Sequence, residues 1–198
     1  MTEDDRRRAA LTLVLGGTRS GKSEVAERLI MDQVGPGGAV TYVATGAGVG
    51  DPRDAAWMAR IQAHRRRRPA TWSTVELASG ADLGEGLREL PGPALVDSLG
   101  AWLAGFRDFD VDVDRLRADL VARSLRGWGP TVVVSEEVGL GVHPATAVGR
   151  DFADALGSLN RNVATVADHV LFVVAGRVLA LADELPRLGP PARGSEGA

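Results

Sequence analysis

Eight consecutive residues, Gly16-Gly17-Thr18-Arg19-Ser20-Gly21-Lys22-Ser23, match the pattern G-x-x-x-x-G-K-[ST]. They lie between a continuous apolar run, Leu11 to Leu15, and a helical repeat of Val25, Ala26, Leu29, Ile30 and Val34. In that setting the glycines let the backbone wrap so that its N–H groups face phosphate oxygens, and the helix N-terminus adds partial positive charge. Lys22 then reaches the β- and γ-phosphates of a bound triphosphate, and the Ser23 hydroxyl is placed to ligate Mg²⁺. The basic residues number 23, of which 22 are Arg and only Lys22 is Lys. A compact ammonium fits between phosphate oxygens inside a tight loop where a planar guanidinium does not. At this chain's Gly, Ser and Thr usage, the rest of the pattern would surround a single Lys by accident about once in 600 placements.

Two further places carry reactive side chains. Asp97 ends a third apolar run, Ala94 to Val96, at the carboxyl edge where open α/β sheets bind ligands. It reads either as the carboxylate that positions Mg²⁺ or its water, or as the cap of a helix beginning at Leu99. His64 precedes Arg65-Arg66-Arg67-Arg68-Pro69. Taken alone, that stretch is a solvated helix end. Beside a triphosphate, the guanidinium charges would disfavour an imidazolium and leave a neutral nucleophile, while binding the polyphosphate themselves. His143, in a Gly/Pro loop, and His169, where a strand begins, read as structural.

The elements that must position these groups alternate. Apolar strands are expected at Leu11 to Leu15, Ala39 to Ala44, Thr71 to Leu77, Ala94 to Val96, Thr131 to Val134 and Val170 to Val174, with a short one near Val178 to Leu181. Helices are expected after Lys22 to Val34, over Asp54 to about Arg67, Asp82 to Leu90, Ser98 to Phe106 and Asp114 to Leu125, and along Phe152, Leu156, Leu159, Val163 and Val166. Strand and helix in alternation imply right-handed βαβ units and an α/β, three-layer fold with a largely parallel sheet.

The chain has 198 residues, enough for one domain, with 44% hydrophobic and 25% charged residues. The expected organisation is an N-terminal extension over 1–10, one nucleotide-binding catalytic domain over 11–182, and a disordered Pro/Gly/Ser-rich tail over 183–198. A net charge of −3 argues against a general nucleic-acid binder. The absence of Cys excludes a disulfide scaffold, a thiolate metal site and a Cys nucleophile. No apolar run approaches the roughly 18 residues of a membrane span, and the acidic start does not resemble a signal peptide, so a cytoplasmic location is expected.

Several motifs together resemble one family. They are the loop Gly16 to Ser23; Tyr42-Val43-Ala44-Thr45; Met58-Ala59-Arg60-Ile61-Gln62-Ala63-His64 with Arg68-Pro69, Trp72 and Glu76; Leu95-Val96-Asp97-Ser98-Leu99; Val132 to Pro144; and Arg150 to Asn160. In order, over about Leu11 to Val174, they look like the bifunctional adenosylcobinamide kinase / adenosylcobinamide-phosphate guanylyltransferase family. The resemblance implies a RecA-like P-loop NTPase fold and a homo-oligomer, often a trimer. It implies phosphorylation of adenosylcobinamide by ATP or GTP, followed by transfer of GMP from GTP to adenosylcobinamide phosphate through a histidine. Carried over by position, His64 is the guanylylated nucleophile. The GTP contacts fall on Gly16, Gly17, Thr18, Arg19, Ser20, Gly21, Lys22 and Ser23, on Thr45, Gly46 and Ala47, on Arg65, Arg66, Arg67 and Arg68, and on Glu76 and Asp97. Mg²⁺ would lie at Ser23 and Asp97. Glu76 taken alone reads more readily as an exposed strand residue than as a ligand contact. One departure is plain: where the family pattern has Ser-Asn-Glu-Val-Gly, this chain has Ser135-Glu136-Glu137-Val138-Gly139, with an added negative charge near the expected site.

Two other readings use the same residues differently. A simple P-loop small-molecule kinase would leave His64 inert and form no covalent nucleotide. A RecA-like ATPase or nucleic-acid partner would use Arg65 to Arg68 on phosphates, which the net charge and the lack of interleaved aromatics disfavour.

Overall fold

The computed structural model describes residues 9–46, 59, 62 and 66–182. Among them are seven strands, β1 (Leu11–Gly16), β2 (Thr41–Ala44), β3 (Ser73–Glu76), β4 (Ala94–Asp97), β5 (Thr131–Glu136), β6 (His169–Val174) and β7 (Arg177–Leu181). Five α-helices are described over their full length: α1 (Lys22–Val34), α2 (Leu83–Arg88), α3 (Leu99–Leu103), α4 (Val113–Leu125) and α5 (Ala147–Ala164). Of the helix expected over Asp54 to Arg67, Ala59, Gln62, Arg66 and Arg67 are helical and the rest lies outside the described residues, as do 1–8 and 183–198. No described helix is long and apolar enough to cross a membrane.

One sheet holds all seven strands in the order β3-β2-β4-β5-β1-β6-β7. The first six are parallel, and β7 returns antiparallel along β6. Every residue of β1 is buried, as a strand with neighbours on both sides and helices on both faces must be. Side chains alternate between two cores. Leu11, Leu13, Leu15, Val43, Val96 and Val133 pack with residues of α2, α3, α4 and α5. Val14, Leu95, Val132 and Val134 pack with Val25, Ala26 and Ile30 of α1. Three layers result, and the fold is α/β with the glycine-rich loop joining β1, an interior strand, to the first helix.

The boundaries that differ from expectation do so for local reasons. β5 runs two residues further, to Glu136, because Ser135 and Glu136 pair with Leu15 and Gly16 of β1. Ser135 is polar yet fully buried, since its hydroxyl donates to Asn160 Oδ1 at 2.6 Å. α3 stops at Leu103 rather than Phe106, where Gly105 lies tightly against Ser79 and Trp102. The turn between β6 and β7 is two residues long, and Ala175 and Gly176 both have positive φ, the geometry that suits the twist of paired strands.

Candidate functional site

The loop between β1 and α1 is held open by what its residues lack. A Cβ on Gly16 would lie 2.5 Å from Ser20 Oγ and 2.8 Å from the Val173 carbonyl oxygen, so only glycine lets the chain turn back here. Gly21 takes φ +92° with its open side against Gly176. Ser20 N donates to Gly17 O at 3.2 Å, and Gly176 N donates to Ser20 O at 2.8 Å. Side-chain oxygens cap α2, α3, α4 and α5, from Asp82, Ser98, Asp112 and Thr146. Gly21 brings no side chain to cap α1; Lys22 N donates to Ser20 Oγ at 3.3 Å, and the N–H groups of Ser23 and Glu24 that follow are available to an anion. Thr18 and Arg19 are exposed; Ser23 is half-buried at the start of α1.

Lys22 is 6% exposed, and its Nζ lies 3.4 Å from Glu136 Oε1. Register explains the meeting, because Glu136 stands opposite Gly16. Ser98 Oγ donates to the same carboxylate, at 3.0 Å from Oε1 and 2.9 Å from Oε2. Ser98 in turn is fixed by Thr45, whose Oγ1 accepts from Ser98 N at 2.7 Å and donates to Ser98 O at 2.6 Å. Asn160 Nδ2 donates to the Glu136 carbonyl at 2.9 Å, which pins the end of β5.

Asp97 does not cap α3; Ser98 does, accepting from Ala101 N at 3.3 Å. Asp97 Oδ2 instead accepts from the Tyr42 hydroxyl at 2.8 Å. Burial first, and then the Asp97 charge, hold the Tyr42 phenol far above its usual range, so it stays a donor. The Arg68 guanidinium lies 3.4 Å over the Tyr42 ring, and its Nη1 donates to Thr74 Oγ1 at 3.0 Å. Thr74, Arg68, Tyr42 and Asp97 thus link β3 to β4 across the end of β2.

The arginine run divides by partner. Arg66 is exposed and donates to Gln62 Oε1 at 3.1 Å. Arg67 grips Glu27 of α1 with both arms of its fork, Nε to Oε2 at 2.9 Å and Nη2 to Oε1 at 3.2 Å. That hydrogen bond raises the Arg67 pKa, and Glu27 is 4% exposed, so this arginine holds the helix that bears the loop. Ala47, His64 and Arg65 lie outside the described residues. Gly46 follows Thr45 at the same sheet edge, and Glu76 is exposed at the end of β3, with β2 between it and Asp97. His143 and His169 are both exposed, and His169 begins β6.

Ser98, Tyr42, Gly100 and the contacts of Glu136 are the residues that sequence reasoning missed. Strand ends beside the loop-bearing strand were the available signal. For a metal, the described residues hold no group of three or more His, Cys, Asp or Glu. The Ser23 hydroxyl and Asp97 carboxylate are hard oxygen donors that suit Mg²⁺ held mainly by phosphates and water.

A model of the CobU family, cobinamide kinase / cobinamide phosphate guanyltransferase, matches residues 12–181. The bifunctional adenosylcobalamin biosynthesis protein CobP of Pseudomonas aeruginosa is 39% identical over 183 residues, 87% of this chain and 97% of that protein. The bifunctional CobU proteins of Salmonella typhimurium and Escherichia coli are 34% and 32% identical, each across 84% of this chain and 96% of its own length. Among solved structures, the flagellar accessory protein FlaH of Methanocaldococcus jannaschii superposes with a TM-score of 0.46 at 14% identity, over 88% of this chain and 79% of that one. On the family match over residues 12–181 and on relatives 32–39% identical across nearly their whole length, the chain belongs to the cobinamide kinase / cobinamide phosphate guanyltransferase family.

Proposed function

We propose that this enzyme phosphorylates adenosylcobinamide with ATP or GTP, then transfers GMP from GTP to adenosylcobinamide phosphate through a guanylyl-histidine at His64, giving adenosylcobinamide-GDP. The observation that carries the reading is the loop itself: an uncapped helix N-terminus and a buried Lys22 at the carboxyl edge of a parallel sheet, in a chain matched by the family over residues 12–181. Triphosphate oxygens would bind at the loop Gly16 to Ser23 and displace Glu136 from Lys22. Thr45 to Ala47, Arg65 to Arg68, Glu76 and Asp97 are assigned to GTP on the same reading. Arg67 and Thr45 act there chiefly by holding α1 and Ser98. Ser23 and Asp97 would hold Mg²⁺, which neutralises developing phosphate charge when bound.

A neutral imidazole divides one phosphodiester-forming exchange into two displacements at the α-phosphorus, with pyrophosphate and then imidazole as leaving groups. The test is incubation with α-³²P-labelled GTP and Mg²⁺, then denaturing electrophoresis after acid and alkali treatment. An acid-labile, alkali-stable label that vanishes in His64→Ala is expected. A wild-type protein that turns over yet carries no label overturns the histidine route and leaves the simple kinase. The chain is further assigned to the cytoplasm as a homo-oligomer, with the trimer its expected form. Exposed Val178, Leu179 and Leu181 of the edge strand β7 support association, which sedimentation equilibrium measures.

A further inference from the structure

Only one of the two proposed reactions breaks an O–H bond. A neutral imidazole attacking the α-phosphorus brings a lone pair and no acidic proton. The phosphate of adenosylcobinamide phosphate attacks the guanylylated histidine as an anion. Phosphorylating adenosylcobinamide is different, because an alcohol must lose its proton as it attacks, and a group at the γ-phosphate end must take it.

Among the described residues, the carboxylates of Asp97, Glu136 and Glu137 stand at the sheet edge around the loop. Asp97 takes the Tyr42 hydroxyl. Glu137 turns into its own loop, where its Oε1 accepts from Gly139 N at 2.7 Å. Glu136 is placed otherwise. Its oxygens meet Lys22 at 3.4 Å and the one proton of Ser98, which leaves part of a carboxylate's four or so acceptor positions to the solvent side, where 28% of the side chain is exposed. The fold makes room for this rotamer: a Cβ on Gly100 would lie 2.2 Å from Glu136 Oε2. A glycine inside a helix costs about 0.5–1 kcal/mol relative to alanine, so α3 is weakened at the point where the carboxylate needs space.

On the functional reading above, we propose that Glu136 is the proton acceptor for the alcohol in the kinase reaction. When a triphosphate binds, Lys22 exchanges the carboxylate for phosphate oxygens. Glu136 then faces the γ-phosphate, and two anions side by side are reconciled by a hydroxyl between them. The alcohol oxygen forms its bond to the γ-phosphorus as the bond from phosphorus to the β,γ-bridging oxygen breaks. The hydroxyl proton passes to Glu136 and from there to water, and the nucleoside diphosphate leaves. Ser98, bonded to both carboxylate oxygens, is a positioning residue.

The test separates the reactions on one preparation. Adenosylcobinamide-dependent ADP release from ATP reports the kinase, and pyrophosphate release from GTP with adenosylcobinamide phosphate reports guanylyl transfer. Glu136→Gln keeps the size of the side chain and removes the base. Its kinase kcat is expected to fall about 10²-fold or more with KM for ATP little changed, while pyrophosphate release stays within about twofold. Gly100→Ala, which favours the helix and displaces the carboxylate without removing it, is expected to show the same split at smaller size. If both reactions fall together, Glu136 only anchors Lys22 and the proposal is overturned. Unchanged kinase turnover overturns it too, as does rescue of Glu136→Gln by excess Mg²⁺, which would make Glu136 a metal-holding carboxylate. A wild-type protein that catalyses neither reaction overturns the functional reading along with it.

Discussion

Among the described residues, two cations are buried, at opposite edges of the same sheet. At the amino edge, Arg123 of α4 is 2% exposed and donates to Thr131 Oγ1 and to the carbonyls of Leu87, Leu90 and Gly92. At the carboxyl edge, Lys22 is 6% exposed and meets Glu136 at 3.4 Å. Arg123 spends its rigid fork on acceptors that cannot leave, joining α2, α4 and the start of β5. Burial, with the nearby Arg126, pushes its pKa down to about 10, a cost that the four hydrogen bonds must offset. Lys22 has three donors, a flexible stem and one carboxylate neighbour with a partner of its own. Saturation, more than burial, separates a structural cation from one that waits for a ligand.

Removing each cation sharpens that contrast. Arg123→Ala takes the shared donor from the carbonyls of Leu87, Leu90 and Gly92 and leaves a cavity, and is expected to cost about 3–5 kcal/mol in urea denaturation. Its turnover at low temperature should survive in whatever fraction stays folded. A loss under 1 kcal/mol would break the comparison. Lys22→Ala should do the reverse: about a 10²-fold fall in turnover with ATP and weakened triphosphate binding by calorimetry, with the urea midpoint nearly unmoved. Wild-type activity in this variant would remove the loop from the mechanism.

The carboxyl edge also has a built-in reporter, because Tyr42 is the only tyrosine in the chain. Its folded pKa lies above the unfolded value of about 10, so the native state binds the extra proton. The stability it contributes is intact below about pH 10 and is lost as pH rises beyond that. Phenolate absorbance is therefore expected to appear only as the chain unfolds in alkali, whereas the denatured chain titrates near pH 10. Simple titration near pH 10 in the folded protein would mean that Tyr42 is not sealed against Asp97. The smallest effect is expected from Ser98→Ala, about 1 kcal/mol by thermal denaturation for the lost cap of α3. A larger kinase defect than that modest destabilisation explains would show Ser98 acting through Glu136.

How much of this was legible beforehand depended on distance along the chain. β1, the loop and α1 are contiguous, and glycines, one lysine and a helical repeat announce them within 24 residues, Leu11 to Val34. The parallel sheet followed from strand and helix in alternation. The contacts of residues 42, 45, 97, 98 and 136 did not, because they depend on β4 and β5 lying between β2 and β1, an order that adjacency in sequence does not encode. Ser135 ended the apolar pattern of β5 early, although Asn160 on α5 makes its burial tolerable. The arginine run read as a solvated face or an anion patch, yet Arg67 is turned to Glu27 and Arg68 to the face of Tyr42. Charge type was visible and the direction of each side chain was not.

The turn at Ala175-Gly176 has a mechanical implication. Gly176 N donates to Ser20 O at 2.8 Å, and its Cα would lie 3.3 Å from a Cβ on Gly21. The tip of the outermost hairpin is thus stitched to the anion cradle with no side chain as cushion between the two backbones. A force on the β7 rim would reach the peptide groups of the loop through this one joint, with no flexible side chain to absorb it.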